Sequence, residues 1–113
     1  MNSELLLAFY GDDFTGSTDA MEALALSGLR TVLFLAPPSA ELLRDKFPDL
    51  RCVGVAGTSR AMSPNDMDAE LKPILQALWA IGAPLTHYKV CSTFDSSPTV
   101  GNIGHVMDMA RET

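Results

Sequence analysis

A chain of 113 residues has room for one domain and too little for two. Lys plus Arg comes to 8 against 14 Asp plus Glu, a formal net charge of −6 with no basic block, which excludes nucleic-acid binding driven by counterion release. Hydrophobic residues at 47% and charged residues at 19% exclude disorder.

Residues 5–10 (LLLAFY) read as a first strand, continuously apolar and stopped by Gly11. Residues 19–29 read as a helix with a small-residue stripe of Ala20, Ala23, Leu24 and Ser27. Asp19 and Glu22 have the spacing of a capping box there, and Gly28 suits the helix end. Residues 31–35 (TVLFL) form a second strand closed by Pro37-Pro38, and residues 39–47 a short helix with Ser39 as N-cap and Pro48 beyond it. Residues 52–56 (CVGVA) are the third strand. Ser63-Pro64, an N-cap followed by proline at the first helical position, opens a long helical pattern through Met67, Leu71, Ile74, Leu75, Leu78 and Trp79. Pro73 inside that pattern predicts a kink or an earlier helix start, and Gly82 ends it. Residues 86–92 (THYKVCS) are the fourth strand, and Thr99 or Asn102 opens a last helix running to Arg111.

Strands alternating with helices predict an α/β fold: a mainly parallel sheet with helices on both faces, in a Rossmann-like three-layer arrangement. The chain stops just after a helical run, where a parallel sheet would close with a further strand, so the expectation is a truncated domain of a longer protein. The apolar stretches at residues 5–10 and 32–36 fall far short of the roughly 20 residues that span a bilayer, and Met1-Asn2-Ser3-Glu4 lacks the basic region of a signal peptide. The expected setting is therefore cytoplasmic, without a membrane partner. Cys52 and Cys91 lie 39 positions apart, which matches neither a redox pair nor a zinc knuckle, and both are expected as buried reduced thiols. His87 and His105 have no carboxylate or cysteine at ligand spacing and read as a sheet and a helix residue, with no metal site. Met62, Met67, Met107 and Met109 read as core filler.

In open parallel sheets ligands bind beyond the carboxyl ends of the strands. Three segments there are dense in hydroxyls, carboxylates and glycines: residues 11–18 (GDDFTGST), residues 57–60 (GTSR), and residues 92–98 (STFDSSP) leading into Gly101-Asn102-Ile103-Gly104. The proline-rich turn after strand two is expected outside the crevice. Gly11 and Gly16 have the spacing of a phosphate-binding loop, but Ser17 stands where the phosphate-neutralising lysine belongs, and Asp12 and Asp13 would repel an anion. Paired aspartates suit a polyhydroxylated ligand instead, accepting from sugar hydroxyls while one serves as general base. Arg60 can grip a carboxylate in a bidentate fashion, and Lys89, on the opposite side of its strand from Tyr88, is a second cation near the loops. Together these point to an acidic sugar. Plainer roles compete: Asp13 and Asp19 suit helix caps, Ser92, Thr93 and Ser96 suit turns, and Arg60 suits an open surface.

The string Gly11-Asp12-Asp13-Phe14-Thr15-Gly16-Ser17-Thr18-Asp19-Ala20 resembles the opening signature of the four-carbon acid sugar kinases, which include 3-oxo-tetronate, threonate and erythronate kinases. Thr58-Ser59-Arg60 and the block from Tyr88 to Ser97, running on to Gly101-Asn102-Ile103-Gly104, agree with the same family in the same order. The resemblance implies phosphorylation of a terminal hydroxyl of a C4 acid sugar with ATP and Mg²⁺. It implies an N-terminal domain that binds the sugar acid and a C-terminal domain that binds the nucleotide. Residues 1–113 would then be a partial N-terminal domain, inactive alone and lacking the nucleotide-binding half. Asp12 or Asp13 would orient the substrate and accept its proton, and Arg60 and Lys89 would hold its carboxylate. Thr15, Ser92, Thr93, Asp95, Ser96 and Asn102 would line the pocket. Two other classes stay open: a non-catalytic module that senses an acid sugar, and an interaction protein resembling a type III secretion effector. Self-association through apolar surface left open by an incomplete domain is a further expectation.

Overall fold

The computed structural model describes residues 5–91 and 96–112. Four strands, β1 (Leu7–Gly11), β2 (Thr31–Phe34), β3 (Cys52–Ala56) and β4 (Leu85–Lys89), form one sheet in the order β2-β3-β1-β4, with every pairing parallel. β1 sits between β3 and β4, in register Tyr10↔Val55 and Tyr10↔Tyr88. The chain leaves β1 toward the β2 side and later returns across it to β4. The carboxyl end of β1 is therefore the point where the direction of winding reverses, and a crevice opens there.

Alternation along the strands separates two faces. On one face Ala8, Tyr10, Val53 and Val55 pack in a core with Leu43 of α2 (Ala40–Lys46), Leu75, Leu78 and Ile81 of α4 (Lys72–Ile81), and Val106 and Met109 of α5 (Ile103–Glu112). On the other, Phe9 lies fully buried over Gly54, and α1 (Phe14–Leu26) crosses the sheet. Gly11 faces the first turn of α1 so closely that a Cβ there would collide with the Ser17 side chain. Helices thus cover both faces of a parallel α/β sheet, as the alternation of elements predicts.

Local signals place most boundaries. Ser39 Oγ accepts from the Leu42 N–H at 3.0 Å, and Ser63 Oγ accepts from the Asp66 N–H at 3.2 Å at the head of the one-turn helix α3 (Pro64–Asp66). Gly28 and Gly82 follow their helices at φ of +88° and +84°. Two expectations need correction, on the start of the first helix and on Met107. The first helix begins at Phe14, five residues before Asp19, because Asp13 caps it; Asp19 lies exposed inside the helix. At Pro73 the backbone runs on from a π-helical turn, Met67–Leu71, into α4 without leaving the right-handed helical region, and that wider turn shortly precedes the residue that has no N–H to give. Met107 is 62% exposed on the outer side of α5, whereas Met67 and Met109 are buried and Met62 packs against the core. Cys52 and Cys91 are both buried, neither is in a disulfide among the described residues, and burial raises the Cys52 thiol above its ordinary range. Among the described residues no helix is long and apolar enough to cross a membrane.

Candidate functional site

Asp12 directly follows β1 at the winding reversal and is 2% exposed. Its backbone N–H donates to the Lys89 carbonyl at 3.0 Å, and its own carbonyl accepts from the Arg60 N–H at 3.1 Å. These two bonds tie the loop after β1 to the end of β4 on one side and to the loop after β3 on the other. The Asp12 carboxylate accepts from the Cys91 backbone N–H, while Oδ1 has no hydrogen-bond partner among the described residues. Burial, with the neighbouring charge of Asp13 adding to it, holds this carboxyl above the usual carboxylate range.

Asp13 serves differently. Its Oδ1 accepts from the Gly16 N–H at 2.9 Å as the N-cap of α1, and its Oδ2 faces Arg60 Nη1 at 3.4 Å. Ser17 Oγ donates to the Asp13 carbonyl at 2.6 Å, which closes the first turn. Arg60 sits in a 3-10 turn, Ser59–Ala61, and its Nη1 also donates to Cys91 Sγ at 3.0 Å. The Arg60 side chain is 41% exposed, so the guanidinium reaches the open rim while its backbone is anchored below. Lys89, the last residue of β4, points to the α1 side, opposite Tyr88. Its ammonium lies beside Gly16 and donates to the Val90 carbonyl at 2.8 Å.

Four of the sequence-derived residues, Asp12, Asp13, Arg60 and Lys89, therefore meet at one rim although they come from two loops and the end of β4. Thr15 is exposed in the first turn of α1, where its carbonyl accepts from Thr18 Oγ1 at 2.8 Å. Ser96 and Asn102 serve the head of α5: Ser96 Oγ accepts from the Ile103 N–H and Asn102 Oδ1 from the His105 N–H, each at 3.0 Å. Ser92, Thr93 and Asp95 lie outside the described residues. His105 pairs with Asp68 at 2.8 Å, which ties α5 to the π-helical turn, and His87 is an exposed residue of β4. Among the described residues no three His, Cys, Asp or Glu side chains are grouped to hold a metal ion.

Among the described residues, the head of α1 is a poor seat for a triphosphate. Its Gly16 N–H is already taken by the Asp13 carboxylate, and the buried Asp12 carboxyl lies beside it, which disfavours a polyanion there. The β1–α1 loop thus keeps the glycine spacing of a phosphate loop without its chemistry.

The sequence reading missed the supports beneath Arg60. Ser59 is fully buried, its N–H donates to Tyr10 Oη at 3.3 Å, and its Oγ is hydrogen-bonded to Tyr88 Oη at 2.5 Å. Gly101, at φ +61°, lies so close to the Arg60 carbonyl that any side chain would collide with it, and its N–H donates to the Met62 carbonyl at 2.7 Å. The available signal was a tyrosine next to the carboxyl end of two otherwise different strands, Tyr10 and Tyr88.

The family described as "Sugar-binding N-terminal domain" matches residues 7–113. The 3-oxo-isoapionate kinase of Paraburkholderia graminis is 61% identical over 105 residues, covering 93% of this chain and 22% of that relative. The 3-oxo-tetronate kinase of Pseudomonas fluorescens is 39% identical over 111 residues, 98% of this chain and 25% of the relative. That of Methylobacterium radiotolerans is 38% identical over 107 residues, 95% and 24% of the two chains. The chain spans about a quarter of the length of the curated relatives it matches. No solved structure matches it.

Proposed function

The chain belongs to the family of sugar-binding N-terminal domains, and from that premise we propose that it is the substrate-binding part of an ATP-dependent kinase acting on a four-carbon acid sugar or a close 3-oxo relative. The observation that carries the reading is the buried Asp12 carboxyl, with Oδ1 unpartnered among the described residues, on the same rim as Arg60 and Lys89. A carboxyl held above its ordinary range is suited to receive the proton of a sugar hydroxyl, since its basicity is nearer to that of its task. Asp13 is the weaker candidate for that role because both of its oxygens are engaged, one by the helix and one by Arg60. Arg60 and Lys89 supply the positive charge for the ligand's carboxylate, with Arg60 offering the planar fork that matches it. Ser92, Thr93, Asp95, Ser96, Asn102 and Thr15 complete the proposed pocket.

Residues 1–113 are on this reading a partial N-terminal domain of a cytoplasmic enzyme. On this reading ATP and Mg²⁺ belong mainly to a separate C-terminal domain, as the family resemblance implies. The chain by itself then binds ligand and gives no turnover, since phosphoryl transfer depends on positioning both reactants.

Calorimetric titration of the chain with threonate, erythronate, 3-oxo-tetronate and 3-oxo-isoapionate tests this directly. At least one of these acids binds, and Arg60→Ala weakens it by about 10- to 100-fold, the range for losing a hydrogen-bonded charge partner. Binding that survives Arg60→Ala unchanged overturns the clamp, and substantial ATP consumption by the chain alone overturns the placement of the nucleotide site.

A further inference from the structure

The one cation of the rim with a carboxylate-matching fork stands on a loop, and loops are poor at holding a side chain in place. The geometry beneath it answers this. Tyr10 and Tyr88 are register partners on β1 and β4, and their rings stack with centroids 5.5 Å apart and planes 11° off parallel. Both hydroxyls run past the end of the sheet and converge on the same residue, Ser59: one takes the backbone N–H at 3.3 Å, the other bonds Oγ at 2.5 Å. For packing alone phenylalanine would serve in either strand, and a buried hydroxyl is costly unless it is partnered. Burial raises both phenols above their ordinary range, so they remain neutral hydrogen-bonding groups.

Ser59 immediately precedes Arg60 and is fully buried, whereas Arg60 is open to the rim. The Arg60 N–H is bonded to the Asp12 carbonyl, and Gly101 is packed on the Arg60 carbonyl. The arginine backbone is therefore fixed from β1, from β4 and from the segment after β4.

We propose that Tyr88, acting through its hydrogen bond to Ser59, is a positioning residue that sets the Arg60 guanidinium for ligand. The proposal rests on the sugar-acid reading above for what Arg60 grips, but the positioning itself is a property of the protein. Tyr88→Phe keeps the ring stack and removes one oxygen. Ser59→Ala removes the other end of the same bond and serves where the first variant is poorly folded.

The test has two arms. In the first, the Arg60 Nε–Hε signal is followed by ¹H–¹⁵N NMR on the ligand-free chain. Tyr88→Phe and Ser59→Ala each shift that signal and lower its order, while the amide signals of Leu78 and Ile81 in α4 stay in place. An Arg60 signal unchanged in both variants overturns the proposal whether or not any ligand binds. In the second arm, threonate, 3-oxo-tetronate and 3-oxo-isoapionate are titrated into the parent, Tyr88→Phe, Arg60→Ala and the double variant. Tyr88→Phe weakens binding by about fivefold to tenfold, the worth of one hydrogen bond, and has no further effect once Arg60 is gone. An equal loss in the Arg60→Ala background means a merely structural role and overturns the proposal. Absence of binding by the parent overturns the sugar-acid reading and leaves the first arm to decide on Tyr88.

Discussion

The two faces of the sheet are built on different terms. The face toward α2, α4 and α5 carries the apolar core, with Tyr10, Val53, Val55, Leu71 and Leu78 fully buried. The face toward α1 is covered by one helix whose buried residues are only Gly16 and Ser17, both in its first turn, while Leu26 near its end is 80% exposed. One face holds the fold by area removed from water. The other holds a helix N-terminus against a strand end with little apolar burial by the helix, and so places Asp13 as its cap. The core face carries most of the apolar burial, and through Tyr10 and Tyr88 it also supports Arg60 at the candidate site.

That contrast can be broken in order of size. Leu78→Ala, in the middle of the core, should destabilise by about 2–5 kcal/mol, read as a lowered midpoint in urea. A loss well under 1 kcal/mol would mean that the α4 face is not the main core. Gly11→Ala forces a methyl against Ser17 and should cost about 1–3 kcal/mol. Because it displaces the first turn of α1, it should also weaken acid-sugar binding in calorimetry, which Leu78→Ala should not do beyond its unfolded fraction.

Asp12→Asn sharpens the comparison through pH. The folded chain holds the Asp12 proton to a higher pH than the unfolded chain, whose carboxyl titrates near 3.8. Below that value both states are protonated and Asp12 makes no difference. As pH rises through the folded-state titration the unfolded state gains relative stability, so the parent loses stability that Asp12→Asn does not. The melting temperature of Asp12→Asn relative to the parent should therefore climb with pH from the ordinary carboxylate value upward and then level off. A flat difference would show that Asp12 is not held above its ordinary range. The smallest effect belongs to Leu26→Ala, the same chemical change as Leu78→Ala on the open side of α1, which should alter stability by no more than about 0.5 kcal/mol.

Much of this architecture is legible along the chain because its signals are local. Continuous apolar runs bounded by Gly and Pro mark the strands, Ser39 and Ser63 mark helix starts, and Gly82 marks an end, each through hydrogen bonds or φ preferences within a few residues. Asp12, Asp13, Arg60 and Lys89 were reachable too, from strand-end position and from the resemblance. The start of α1 was less legible. Asp13 and Asp19 both fit a cap, and the choice between them was made by the close approach of Gly11 to Ser17, which carries the helix straight out of β1.

Residue type and spacing by themselves determined that this is a parallel α/β chain with acidic and basic groups at its strand ends, because backbone preferences and apolar periodicity act over a few residues. Only the tertiary structure decided that β1 lies between β3 and β4, and with it which groups share a rim. It alone brought Tyr10 and Tyr88, 49 and 29 residues from Ser59, onto that one serine. Such contacts depend on strand order, and strand order is settled by which faces can be buried together, a choice no short stretch of sequence makes alone.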